Sequence, residues 1–210
     1  VDLSCLETVN GYAEIENTLA LSIDLSGLTF VDDELYIHSN DDLQSVDLSA
    51  LTDVGNLLYI EYNDALSEVR LDALVDVGST LLVNQNPVLT HIDLPLLEEV
   101  GSSFYFSWNE TLLSIDAPLL DSIGGELFLY FNYDLVDVNL PSLTDISSQV
   151  YAYYNLDLET LDLSSLTEVG GGFYIYYANE LDVLDLPPLL DVNGSFTLSN
   201  NGTTHTLSAP

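Results

Sequence analysis

The stretch that decides the fold is Asn40-Asp41-Asp42-Leu43-Gln44-Ser45-Val46-Asp47-Leu48-Ser49-Ala50-Leu51-Thr52-Asp53-Val54-Gly55-Asn56-Leu57-Leu58-Tyr59-Ile60-Glu61-Tyr62-Asn63. It opens and closes on asparagine, and Leu43, Val46, Leu48, Leu51, Val54, Leu58 and Ile60 supply its apolar positions. The same frame extends in both directions. Asparagine stands at positions 17, 40, 63, 86, 109, 132 and 155, each 23 residues after the last. Ala178 takes the next place and Asn201 the one after, so the register survives one substitution. A fixed period of this size marks stacked copies of one supersecondary unit. It predicts a single body over residues 1–210, with an irregular first turn at 1–16, regular repeats at 17–200 and a partial last turn at 201–210.

Within a repeat, Leu58-Tyr59-Ile60-Glu61 places apolar residues at every second position, the spacing of a strand. The asparagine that follows is expected to turn the chain, because its side chain tolerates left-handed backbone angles and bonds nearby backbone. Stacked on every turn, Asn17, Asn40, Asn63, Asn86, Asn109, Asn132, Asn155 and Asn201 would form a ladder along the axis. A second short strand such as Ser45-Val46-Asp47-Leu48 ends at Ser or Pro (Pro95, Pro118, Pro141 and Pro187), and proline has no N–H to give a ladder. A third corner reads Val-Gly at 54–55, 77–78, 100–101 and 169–170, where glycine permits positive φ. No segment combines helical apolar spacing with capping residues. The expectation is an all-β, right-handed parallel β-solenoid of about nine turns.

The pattern Leu43-x-x-Val46-Asp47-Leu48-x-x-Leu51-x-x-Val54-Gly55-x-x-Leu58-x-Ile60-x-x-Asn63 resembles the receptor L-domain family, a relative of the leucine-rich repeats found in receptor ectodomains and on microbial and fungal cell surfaces. Leu127-Phe128-Leu129-Tyr130-Phe131-Asn132 carries the Leu-x-Leu-x-x-Asn core shared with leucine-rich repeats generally. The likeness spans about residues 1–205 and implies extracellular binding or wall structure without catalytic residues. The flanking cysteines and terminal helix of the receptor versions are missing, so their ligand binding is not carried over.

The charge is extreme: 35 acidic residues stand against one base, Arg70, for a net charge of −34. Phosphate recognition needs clustered Lys and Arg, so nucleic acid and anionic membrane surfaces are excluded as partners. No run of about 18 apolar residues offers a membrane span. A hydrophobic content of 47% excludes disorder. With no initiator Met and no signal pattern, Val1 is expected to follow a processing site, which makes this an exported chain at the cell surface. Cys5 has no partner in the chain; it reads as a small buried hydrophobe in the first turn or, alternatively, as half of an intermolecular bridge.

Two surface arrays follow from the register. Tyr36, Tyr59, Tyr105, Phe128, Tyr151 and Tyr174 stand four before the asparagine position; Tyr130, Tyr153 and Tyr176 stand two before it; Tyr62, Trp108, Phe131, Tyr154 and Tyr177 stand one before it. Alternation points the first two sets outward, so Tyr105, Trp108, Tyr130, Tyr151, Tyr153, Tyr154, Tyr174, Tyr176 and Tyr177 are expected to form an exposed binding or assembly face. Three readings compete: cross-strand stabilisation, packing against another copy, and stacking on glycans. Seven residues after each asparagine runs an acidic column, Asp24, Asp47, Asp93, Asp116, Asp162 and Asp185, with Arg70 between Asp47 and Asp93 to offset both. Such a column suits a salt-tolerant surface or, alternatively, calcium held by carboxylates and corner carbonyls, with Asp41, Asp42 and Asp64 as further ligands beside Asp47, Asp93 and Asp116.

Sequons occur at Asn109, Asn193 and Asn201; the first belongs to the inward ladder, and Asn193 is the best glycan carrier. His38, His91 and His205 fall at different repeat positions with no ligand spacing, and no nucleophile motif accompanies the serines. The sequence thus points to a non-enzymatic extracellular structural or adhesive protein that needs no cofactor. It would self-assemble laterally through its aromatic face or head-to-tail through its ends, and the alternative is a glycan- or peptide-binding module that uses the same tyrosines.

Overall fold

The computed structural model describes residues 1–186, 189–202 and 206–208, with Asp185 and 206–208 described by backbone alone. The expected Pro187 strand stop, His205 and Thr203 of the last sequon lie outside the described residues. All strands run parallel to their neighbours, and no helix occurs among the described residues. The chain coils as a β-solenoid with three faces. One face stacks nine two-residue strands from Thr8–Val9 to Asp191–Val192, and a second stacks nine four-residue strands from Ala13–Glu16 to Phe196–Ser199. Nine strands on a face enclose eight steps, so the molecule has about eight full turns, slightly fewer than the period predicts. Strand pairing already includes Thr8–Val9 and Ala13–Glu16.

Phase is kept because the apolar residues of each turn superpose on those of the next. Leu58, Leu81, Phe104 and Leu127 pair in succession, and all four are fully buried. The core is a column of Leu, Val, Ile and Phe, in which each buried large aliphatic contributes about 1.5–3 kcal/mol.

The first step breaks the period by one residue. Ala13 pairs with Leu35 and Glu16 with His38, an offset of 22, whereas Leu35 pairs with Leu58, an offset of 23. Asn17 therefore occupies the corner beside Ser39, and Thr18 takes the ladder place, its N–H and Oγ1 donating to Asn40 Oδ1 at 2.9 and 2.8 Å. Asn17 is exposed and stands outside the ladder that the spacing assigned to it.

The corner itself is built differently from the expectation. Left-handed backbone is adopted by the residue before each ladder position: Asn17, Ser39, Tyr62, Gln85, Trp108, Phe131, Tyr154, Tyr177 and Asn200 all have φ between 50 and 58°. The ladder asparagines turn inward and bond backbone. Asn109 Oδ1 accepts from Asn86 N at 3.1 Å, while Asn109 Nδ2 donates to Val83 O at 2.9 Å. Asn40, Asn63, Asn86, Asn132 and Asn155 are equally buried, and the half-buried Asn201 repeats the pattern on Ala178 N and Ile175 O.

The Val-Gly corners also have another cause. None of the described glycines has positive φ. A Cβ at Gly78 or Gly101 would lie 2.2 Å from the glycine carbonyl oxygen one turn earlier, so glycine serves the close approach of successive turns. Asp32, Ser147 and Asn193 stand at the same place, so the approach is adjustable.

The third face has two parts: a three-stranded sheet, Ser22–Asp24, Ser45–Asp47 and Glu68–Arg70, and a six-stranded sheet from His91–Asp93 to Thr206–Ser208. Between them the ladder opens. Ser67 N bonds Gln44 O and Leu113 N bonds Thr90 O, but no corresponding bond joins Thr90 to Ser67 or Leu71 to Asp93. A hollow of about 280 Å³ lies in this notch, lined in part by Val69, Arg70, Leu71, Thr90 and His91. Cys5 is exposed, contrary to the buried reading.

Candidate functional site: an aromatic face

The four-residue strands carry the outward side chains that set the character of this face. At their second position stand Tyr36, Tyr59, Leu82, Tyr105, Phe128, Tyr151 and Tyr174, each opposite its neighbour. At the fourth position, polar residues (His38, Glu61, Asn84 and Ser107) give way to Tyr130, Tyr153 and Tyr176. The left-handed corner adds Trp108, Phe131, Tyr154 and Tyr177. The second half of the molecule thus carries three adjoining columns of rings.

Within each column the rings stack along the axis. Tyr105 and Phe128 lie 4.5 Å apart at 6°, and Phe128 and Tyr151 lie 5.4 Å apart at 9°. In the corner column Trp108–Phe131 is 4.2 Å, Phe131–Tyr154 is 5.0 Å at 7° and Tyr154–Tyr177 is 4.5 Å at 6°. Tyr130–Tyr153 is 5.3 Å at 18°, and Tyr153–Tyr176 turns edge-on at 5.8 Å. Edge contacts join the columns, as between Tyr130 and Phe131 at 4.1 Å and Tyr153 and Tyr154 at 4.4 Å. Each such pair adds roughly 0.5–1.5 kcal/mol beyond area burial.

This mutual packing revises the expected exposure. Tyr105, Tyr130, Tyr151, Tyr153, Tyr154, Tyr174, Tyr176 and Tyr177 are half-buried against one another, and only Trp108 of the predicted set is exposed, at 38%. The phenols sense the change. Burial, then the neighbouring phenols, raises the Tyr151 pKa, and a hydrogen bond with Tyr153 raises that of Tyr154.

The acidic column is in register: Asp24 pairs with Asp47, and Asp93 with Asp116. Its carboxylates also organise local turns. Asp24 Oδ1 accepts from Ser26 N and Oγ, and Asp47 and Asp162 accept from Ser49 N and Ser164 N. Serine, in addition to ending the strand, thus closes an Asx turn. The Asp47 pKa is lowered, first by Ser49 and also by Arg70. Arg70 does not offset Asp93: its guanidinium reaches Asp47 Oδ2 at 3.1 Å and Asp72 Oδ2 at 2.8 Å, because the ladder is open on the Asp93 side.

The proposed calcium ligands are not brought together. Asp41 and Asp42 border a hollow of about 160 Å³ with Asn17, Thr18, Leu19 and Ser39, and Asp64 borders a different one with Trp108. Asp47, Asp93 and Asp116 lie on the third face. Among the described residues, three ligand-type side chains converge at Glu14, Glu16 and His38, with His38 Nε2 3.1 Å from Glu14 Oε1. The one-residue slip in the first turn hid this group from spacing arguments. Of the sequons, Asn109 is buried in the ladder, Asn201 is bonded within it, and Asn193 is exposed.

Comparison with protein families, curated proteins and solved structures finds no match to this chain. No helix among the described residues is long and apolar enough to cross a membrane. What the molecule defines by itself is a parallel β-solenoid with an ordered aromatic face on its second half.

Proposed function

We propose that the protein is a non-enzymatic, extracellular structural or adhesive subunit of the L-domain or leucine-rich-repeat-like kind, which associates laterally with its own copies through the aromatic face. The observation that carries this reading is the continuous ring-to-ring packing from Tyr105 and Trp108 to Tyr176 and Tyr177. Tyr and Trp are favoured anchors at protein interfaces. Rings already held by their neighbours lose little rotamer freedom on association, which lowers its entropic cost. A net charge of −34 on each copy opposes approach, so association should need salt to screen it.

The test compares wild type with Tyr153→Ser/Tyr176→Ser by sedimentation velocity and electron microscopy from about 0.05 to 1 M salt. Wild type is expected to assemble as salt rises while the double variant stays monomeric. A wild type that remains monomeric throughout, or a variant that assembles equally well, overturns the reading. Unchanged assembly with lost retention on immobilised sugars would instead mark the face as a glycan-binding surface.

A further inference from the structure

We infer that the hollow beside Trp108 receives a guanidinium group, the arginine side chain of a basic partner protein or peptide. The corner stack of rings ends here. One side of the indole is covered by Phe131 at 4.2 Å, but one turn earlier the corner residue is Gln85, which has no ring to continue the column. The indole stays 38% exposed over a hollow of about 320 Å³ lined by Asp64, Gln85, Pro87, Trp108 and Glu110. Asp64, Glu110 and Gln85 thus share this hollow with a partly exposed indole, and no basic residue lines it.

The choice of ligand follows from charge and shape. An anion is excluded by Asp64, Glu110 and the net charge of −34. A neutral sugar would stack on the indole but leave both carboxylates without a counter-charge. A guanidinium satisfies both features: it is planar and weakly hydrated, stacks on aromatic faces, and directs five N–H donors outward in its own plane. Lying on Trp108, it extends the column by one flat layer and points its donors toward the acidic border. An ammonium carries the charge but lacks the flat face and is more strongly hydrated. The chain's single arginine, Arg70, lies on the third face and is held by Asp47 and Asp72, so this ligand belongs to a different partner.

Trp108 is the only tryptophan, so its emission reports the site directly. The probe is a capped Gly-Arg-Gly peptide, titrated at about 0.15 M salt against its lysine and citrulline counterparts. Saturable quenching by the arginine peptide is expected, about tenfold or more tighter than by the other two. Asp64→Asn/Glu110→Gln should weaken it by about tenfold or more, while Asp137→Asn/Glu159→Gln, an equal loss of charge away from the hollow, should change it less than about twofold. Near-ultraviolet circular dichroism confirms that both variants are folded. Equal binding of arginine and lysine, equal loss in both double variants, or no saturable quenching overturns the inference. The Tyr153→Ser/Tyr176→Ser variant should bind the peptide normally, which separates this outcome from that of the assembly test.

Discussion

Asn17 and Asn109 occupy the same place in the repeat by sequence but opposite environments in the fold. Asn109 is buried, and its amide joins the backbone of two turns, whereas Asn17 is an exposed left-handed corner. Replacing Asn109 by Ala leaves the buried Asn86 N–H without its acceptor and removes the Nδ2 bond to Val83 O, at a cost of about 2–4 kcal/mol in urea unfolding; Asn17→Ala should cost less than about 1 kcal/mol. Ala178 is a missing rung, since Asn155 N–H finds no ladder carbonyl there, and Ala178→Asn should stabilise the fold by about 1 kcal/mol. A destabilised Ala178→Asn, or equal losses at Asn17 and Asn109, would contradict the ladder. Spacing revealed which residues align but not the slip of one residue before Asn40, because Asn17 suits either place chemically. Tyr36 supplies a pH test. Burial, then Glu34, pushes its pKa up to about 12, against about 10 for a free phenol. The folded state holds this proton more tightly, so stability is unaffected below about pH 10 and falls as pH rises toward 12. Tyr59, Tyr151 and Tyr154 shift in the same direction. The urea midpoint should drop over that window, and Tyr36→Phe should flatten the drop.

Among elements, the strands of the third face show where sequence reading stops. Glu68-Val69-Arg70 and His91-Ile92-Asp93 have the same alternation as their neighbours, yet the ladder is open between them. Apolar phase specifies which side chains face inward but leaves the closeness of one turn to the next to local packing. Hydrogen exchange should detect the opening. The amides of Leu71 and Thr90 should exchange at least about tenfold faster than those of Leu48 and Leu113, which donate to Arg70 O at 3.0 Å and Thr90 O at 2.8 Å. Equal protection would mean that the ladder is closed in solution. The aromatic columns were legible because period-two alternation fixes their direction. Their half-burial was not, because it arises from contacts between rings in different columns, such as Tyr153 with Tyr154.

For the whole molecule, superposition of every turn has an electrostatic cost, because aligned carboxylates repeat along the axis. Neighbouring like charges at one-turn spacing oppose each other by roughly 1 kcal/mol in water, and the Asp76 pKa is raised by burial and then by Glu99 and Asp53. Arg70 is the one Lys or Arg in a chain with 35 acids, so salt should stabilise this protein: the thermal midpoint should rise by several degrees between about 0.05 and 1 M NaCl, measured by calorimetry. A flat or falling midpoint would show that these columns are not under mutual repulsion. The same superposition aligns the rings, and its most direct test is proton NMR of the aromatic side chains. Contacts between the ring protons of Phe131 and Tyr154, and of Tyr154 and Tyr177, are predicted, with ring-current shifts to match the 5.0 and 4.5 Å stacks. Rings with unshifted resonances and no contacts to partners one turn away would contradict it.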